Sequence, residues 1–328
     1  MSRAWHLKSR PQGLPTTDNF ALEPVELPEL EDGMVRIANR WLSVDPYMRG
    51  RMNNVKSYVP PFAIDAPMEG GAVGEVVESR ADGFTPGDTV LHMAGWRDES
   101  VLAAAAVTKL PDLGVKPQAF LGNLGLTGGT AYFGLIEAAS AKEGDIVFVS
   151  AAAGAVGSAV VQIAKALNMT VIGSARGASK CDYVRSLGAD AVVDYSTGPL
   201  LKSLKAAAPD GIDVYFDNVG GDHLDAALAI ARKGARFAEC GMIDAYNNGN
   251  SPPLRFLMRI IAMRIRMQGF IYTDYVPRLP EFYRDMSRWI ASGQVKSRDT
   301  IIEGLERMPE AFLGLFQGAN TGKMLVKL

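Results

Sequence analysis

Cysteine and histidine are scarce in this chain. Its 328 residues hold two cysteines, Cys181 and Cys240, and three histidines, His6, His92 and His223. Two thiols make no disulfide framework and fit reduced side chains in a cytoplasmic protein. The histidines share no close ligand spacing with the cysteines, so no metal site is expected. An excess of one charge is also missing. The 34 Lys and Arg against 36 Asp and Glu leave a net charge of -2, which argues against a nucleic-acid partner. Long apolar runs are missing too. "FLMRIIAMRIRM" is broken by Arg259, Arg264 and Arg266, too short and too charged to span a bilayer. The opening "MSRAWHLKSRPQ" lacks the apolar region of a secretory signal. A cytoplasmic protein with no membrane partner is therefore expected.

What remains is an ordinary globular balance, 48% hydrophobic and 21% charged, at a length that favours two domains. About the first 120 residues are β-rich. "GMVRIANRWLSV" suits a strand, and "GGAVGEVVESRADGFTPGDTVLHM" holds two strand-like runs around a cluster of turn formers. A small, irregular barrel fits this stretch. Beyond it the pattern changes to short apolar strands alternating with helical periods: "DIVFVSA", "SAVVQIAKALN", "TVIGSA", "KCDYVRSLGA", "AVVDY", "LLKSLKAAA", "DVYFDNVG". Such alternation predicts an α/β fold with a doubly wound parallel sheet. The last stretch, "TIIEGLERMPEAFLGLFQGANTGKMLVKL", reads as an amphipathic helix and a terminal strand able to pair back into the first domain's sheet.

The loop after the first wound strand is "AAAGAVGS". On the G-x-G-x-x-G pattern of a dinucleotide site, Ala152, Gly154 and Gly157 take the glycine places, with Ala155 and Val156 between. Gly154 lets a pyrophosphate approach the backbone, Gly157 lets helix and strand pack closely, and the helix N-terminus faces the phosphates. An acid about 20 residues on would hold the ribose 2′-OH of NAD. Here the chain reads "TVIGSARGASK" instead, placing Arg176 and Lys180 there. Two cations pair with a 2′-phosphate, so the expected cofactor is NADP(H), used as NADPH.

The stretches "LSVDPYMRGRM", "AAAGAVGS", "YFDNVGG", "CGMIDAYN", "GFIY" and "GANTGK" span the chain. Through them the sequence resembles the medium-chain dehydrogenase/reductase superfamily, and within it the zinc-free alkenal/one double-bond reductases, the prostaglandin reductase and curcumin reductase-like branch. The resemblance implies a Rossmann sheet at 121–295 inserted into a GroES-like β-barrel domain of residues 1–120 and 296–328. It also implies residue roles. Gly154 to Gly157 would contact the pyrophosphate, Lys180 the 2′-phosphate, and Tyr195 would lie near the adenosine phosphate. Asn218 would hold the ribose side. Cys240, Gly241, Met242, Ile243, Asp244, Ala245 and Tyr246, with Phe270, Ile271 and Tyr272, would line the nicotinamide end, and Asn320 would reach the cofactor from the C-terminal segment. Arg176 is not part of the resemblance and rests on its charge. Gly129 departs from it, standing in place of a larger apolar residue.

The chemistry implied is reduction of the C=C bond of α,β-unsaturated ketones and aldehydes without zinc, by hydride transfer to the β-carbon and protonation of the enolate. Tyr246 is the expected catalytic donor, since a phenol donates a hydrogen bond while neutral. Tyr47 and Tyr272 are the expected substrate contacts. Relatives of this kind are often dimers, and the strand-like "RMQGFIYT" offers a dimer edge, so a homodimer is expected. Two alternatives stay open: an NADPH quinone reductase of the same superfamily, and a non-catalytic NADPH-binding protein.

Overall fold

β-Branched and aromatic runs cut by Gly- and Pro-rich turns give the first part of the chain its strands. In this computed structural model, which describes residues 1–247 and 253–328, they are β1 (Ser2–Leu7), β2 (Phe20–Val25), β3 (Met34–Ser43), β4 (Ala72–Ser79), β5 (Thr89–His92), β6 (Glu99–Ala103) and β7 (Thr108–Lys109). A short helix, α1 (Tyr47–Arg51), follows β3. The ten-residue β3 organises the sheet. It pairs along its length with β4, and its other edge takes β6 at Met34–Ala38. Register shifts at Arg36/Ile37 and Asn39/Trp41 bend it, as bulges do, so one strand serves neighbours on both sides of a curved sheet.

The end of the chain completes this unit. "KMLVKL" forms a strand, Lys323–Lys327, antiparallel to β3 through Leu325–Ser43. It also pairs in parallel with Asp299–Glu303, a strand that the sequence reading did not set apart ahead of the helix. The helix is confined to Met308–Phe316. The β-branched run Thr300, Ile301 and Ile302 decides the local outcome, because it sits better on a pleated surface than in a helix. Met1–Leu121 and Asp299–Leu328 thus make one compact unit. Its core gathers Leu42, Met48 and Trp96, with Phe20 stacked on Trp96 at 5.9 Å between centroids and the Phe312 edge at 5.8 Å.

The second unit, Gly122–Arg298, is the wound sheet. Its strands are β8 (Ile146–Val149), β9 (Thr170–Ala175), β10 (Ala191–Asp194), β11 (Ile212–Asp217), β12 (Ala231–Glu239) and β13 (Arg266–Gly269). All paired strands of this sheet run parallel. Their spatial order is β10-β9-β8-β11-β12-β13, the 3-2-1-4-5-6 order of a Rossmann sheet. That order leaves a crevice beyond the carboxyl ends of β8 and β11, where the winding reverses. The core between sheet and helices is apolar and aromatic, with Phe148 stacked on Tyr215 at 5.1 Å and the Phe237 edge on Tyr215 at 5.2 Å. Among the described residues, no helix is long and apolar enough to cross a membrane.

Candidate functional site

The loop at the crevice is shaped by what its backbone must avoid. Ala151 sits at φ 47°, and the Ala152 amide donates to the Ser174 carbonyl at 2.9 Å, laying the loop across β9. The helix Ala155–Ala166 starts directly after Gly154. A methyl group on Gly157 would collide with the Ala151 carbonyl, so this close approach of loop and helix requires glycine. By helix geometry the first amides, including those of Ala155, Val156 and Gly157, have no acceptor within the helix. They form a positive cradle of the kind a pyrophosphate occupies, and the residues present fit that group.

At the tip of β9, Arg176 is exposed and Gly177, at φ 84°, turns the chain into the helix Ala178–Ser186. The Gly177 amide donates to Asp194 Oδ1 at 3.0 Å, and Ser196 donates to the same oxygen through its hydroxyl and amide. These bonds hold the Asp194 carboxyl below its ordinary pKa and fasten the turn. Arg176 lies with its guanidinium 5.5 Å from the Tyr195 ring centroid, and Tyr195 sets its face or edge on His223 at 5.0 Å. Burial, then the neighbouring Arg176 charge, lower the pKa of the Lys180 ammonium. Arg176, Lys180 and Tyr195 are therefore one cluster, suited to a dianionic phosphate over an aromatic face.

On the other side of the crevice, Asn218 is locked to the end of β8. Its side-chain amide donates to the Ser150 carbonyl at 2.8 Å, and its backbone amide donates to Ser150 Oγ at 2.8 Å. The Cys240 and Gly241 amides donate to the Asp217 carbonyl at 3.0 and 3.1 Å, so the ends of β11 and β12 are tied together. The segment 240–246 then folds back. The Asp244 amide donates to the Val219 carbonyl at 3.1 Å, and the Met242 amide donates to the Tyr246 phenol oxygen at 3.3 Å. A methyl on Gly241 would stand 3.0 Å from that oxygen. An amide donating into a phenol polarises its O–H and makes it a stronger donor.

The triplet after β13 divides. Phe270 is buried, its ring edge-on to Phe216 at 6.1 Å, and it serves the core. Ile271 and Tyr272 are half-buried. A methyl on Gly129 would collide with the Tyr272 ring, so the glycine that departs from the resembled pattern is the seat of that tyrosine. Burial raises the Tyr272 phenol's pKa, which keeps it neutral.

In the first unit, Tyr47 opens α1 and is half-buried. Burial and then the Asp45 charge raise its phenol's pKa. A buried ion pair fixes this turn. Lys323 Nζ donates to Asp45 Oδ1 at 2.6 Å and to the Val44 carbonyl at 3.0 Å, and Ser43 Oγ donates to the other Asp45 oxygen. Asn320 donates to the Gly322 carbonyl at 2.8 Å, shaping the turn into the last strand. Arg49 and Arg51 are both buried, with Arg51 donating to the Pro60 carbonyl and to Glu69; they fasten the 47–69 region. The sequence reading missed Ser150 and Lys323, whose partners lie 68 and 278 positions away, and Asp194, which fastens a turn through Gly177 and Ser196. Among the described residues, no three His, Cys, Asp or Glu side chains gather to hold a metal.

Two family models match the chain: "N-terminal domain of oxidoreductase" over residues 3–110 and "Zinc-binding dehydrogenase" over residues 155–292. The chain is 40% identical over 334 residues to the NADPH-dependent curcumin reductase of Escherichia coli (strain K12), covering 100% of this chain and 97% of that protein. It is 38% identical to prostaglandin reductase 1 of Rattus norvegicus over 332 residues, 99% of each chain. The crystal structure of CurA in complex with NADPH from Vibrio vulnificus superposes with a TM-score of 0.94 at 41% identity, covering 99% of this chain and 98% of that one.

Proposed function

Since the chain belongs to the alkenal/one double-bond reductase branch of the medium-chain dehydrogenase/reductase superfamily, we propose that it is an NADPH-dependent reductase of the C=C bond of α,β-unsaturated ketones and aldehydes. The observation that carries the reading is the Arg176–Lys180–Tyr195 cluster on the rim of a 3-2-1-4-5-6 sheet. Full-length kinship with reductases of curcumin and prostaglandin supports the reaction class.

In this reading the amides of Ala155, Val156 and Gly157 hold the pyrophosphate, Arg176 and Lys180 pair with the 2′-phosphate, and Asn218 holds the ribose side. When bound, NADPH supplies the hydride for the β-carbon of the enone. Tyr246 donates its hydrogen bond to the carbonyl oxygen as negative charge gathers there; a positioned donor stabilises the enolate and leaves the α-carbon to take a proton. Cys240 to Ala245 and Ile271 shape the nicotinamide end, with Phe270 as their buried footing. Tyr272, on its Gly129 seat, is a substrate contact. Tyr47 is a further substrate contact and Asn320 a further cofactor contact in this reading. The protein acts in the cytoplasm as a homodimer joined at the outer edge of the wound sheet.

The test is NADPH oxidation against a panel of enals, enones and quinones, with Tyr246→Phe alongside. The expected result is turnover of the enones ahead of the quinones, and in the variant a kcat lower by about 100-fold with NADPH affinity preserved. Consumption of quinones alone, or unchanged turnover in the variant, would overturn the reading.

A further inference from the structure

The ends of β11 and β12 carry two carboxyl groups on one face. Asp217 and Glu239 are the last residues of their strands and are paired in register. Asp217 is fully buried, and its Oδ1 accepts hydrogen bonds from the Tyr215 hydroxyl at 2.7 Å, Ser150 Oγ at 3.2 Å and the Val219 and Gly220 amides at 2.8 Å each. Asp217 Oδ2 and both Glu239 oxygens are shut off from solvent, and no donor from any other group reaches them among the described residues. Strand register sets the two carboxyl groups side by side. Two bare anions side by side in a dry site cannot both persist, so a proton shared between them is the partner left to these oxygens. Four donors on Oδ1 favour the anion at Asp217, so Glu239 holds the proton.

Building on the function proposed above, we propose that Glu239 is a positioning residue for the cofactor: as a neutral acid it donates to Asp217 and clamps the two strand ends from which Asn218 and the Cys240–Tyr246 segment depart. The clamp acts on bonds already described, the Asn218 amide on Ser150 and the Cys240 and Gly241 amides on the Asp217 carbonyl.

Burial first, and then the Asp217 charge, hold the Glu239 carboxyl up to about 8. The titratable groups facing the pair are Tyr215 from β11, whose phenol is raised by burial, and Cys240, whose thiol burial pushes up to about 12. On the far side, β13 sets Gly269 against Glu239 and brings no charge. As pH rises through the Glu239 transition, two anions come to face each other, and the strand ends with Asn218 and residues 240–246 are pushed apart. NADPH affinity then falls by up to about tenfold per pH unit, the limit for one linked proton.

The experiment is NADPH titration followed by fluorescence, from about pH 6 to about pH 10 to span the carboxyl transition, with wild type, E239Q and E239A. E239Q keeps a neutral donor and is expected to bind as wild type at low pH without the alkaline weakening. Lys180 titrates in both proteins alike, so the difference between the curves belongs to Glu239. E239A leaves Asp217 Oδ2 without a donor and is expected to bind weakly at every pH. KM for NADPH should follow these affinities while kcat at saturating NADPH changes less. Unfolding by urea gives a second readout. A carboxyl whose pKa is raised by folding costs stability as pH rises from its ordinary value of about 4.5 to about 8, so wild type should weaken across that window and E239Q should lose that slope. Identical alkaline limbs in wild type and E239Q, or E239A binding like wild type, would overturn the clamp. A protein that binds no NADPH at any pH would instead overturn the cofactor assignment.

Discussion

In the proposed site, Arg176 and Lys180 would divide the work of reading a phosphate. Arg176 is exposed and lies beside an aromatic ring, while Lys180 is half-buried and feels both its burial and the guanidinium's charge. A dianion arriving between them would relieve that repulsion, so each cation is worth more with the ligand than without it. Charge-assisted hydrogen bonds of this kind contribute about 1.5–3 kcal/mol. Arg176→Ala with Lys180→Ala is therefore expected to raise KM for NADPH by at least about 100-fold, with KM for NADH nearly unchanged. Steady-state rates with both cofactors measure this; an intact preference for NADPH would mean that its phosphate is read elsewhere. This part of the proposed site could be picked out in the sequence because both cations lie close along the chain, beside a strand end recognisable from its apolar run.

At the scale of elements, strand and helix alternation was readable from β8 to β12, since each buried strand is a short apolar run bounded by turn formers. The Asp299–Glu303 strand was not, because its apolar residues run on into those of a true helix, and only pairing with Lys323–Lys327 separates them. The links between elements escaped for a related reason. Lys323 and Asp45 lie 278 positions apart, and Glu239 meets Asp217 only through strand register. Nothing local in "GANTGK" or "SVDPYM" announces that a lysine in one neutralises an aspartate in the other. Breaking such a pair strands a buried charge, at a cost of about 3–5 kcal/mol. Lys323→Met should lower unfolding stability by that amount in urea melts. Adding Asp45→Asn should restore much of it, because the orphaned charge is then gone. A loss no greater than for a surface lysine would show that the pair does not hold the turn.

For the whole molecule, among the described residues the wound sheet ends at β13, paired on one side with β12. In the segment leading into β13, Leu257, Met258 and Ile261 are 51%, 75% and 72% exposed. An uncovered strand edge beside apolar side chains is a surface that proteins usually pair or shield. The proposed homodimer would cover it. Sedimentation at micromolar concentration should give twice the single-chain mass, and Met258→Asp with Ile261→Asp should return the protein to single chains. Wild type sedimenting as a single chain would exclude this assembly.

The return of the C-terminal strand to β3 also sets an order of events during synthesis. The ribosome finishes residues 122–298 before it makes the strand that occupies the edge of β3 at Trp41–Ser43. The inserted nucleotide-binding unit can thus close while the N-terminal unit still waits, with Asp45 unneutralised and a strand edge bare. A nascent chain of this protein spends that interval with its earliest residues among the last to settle.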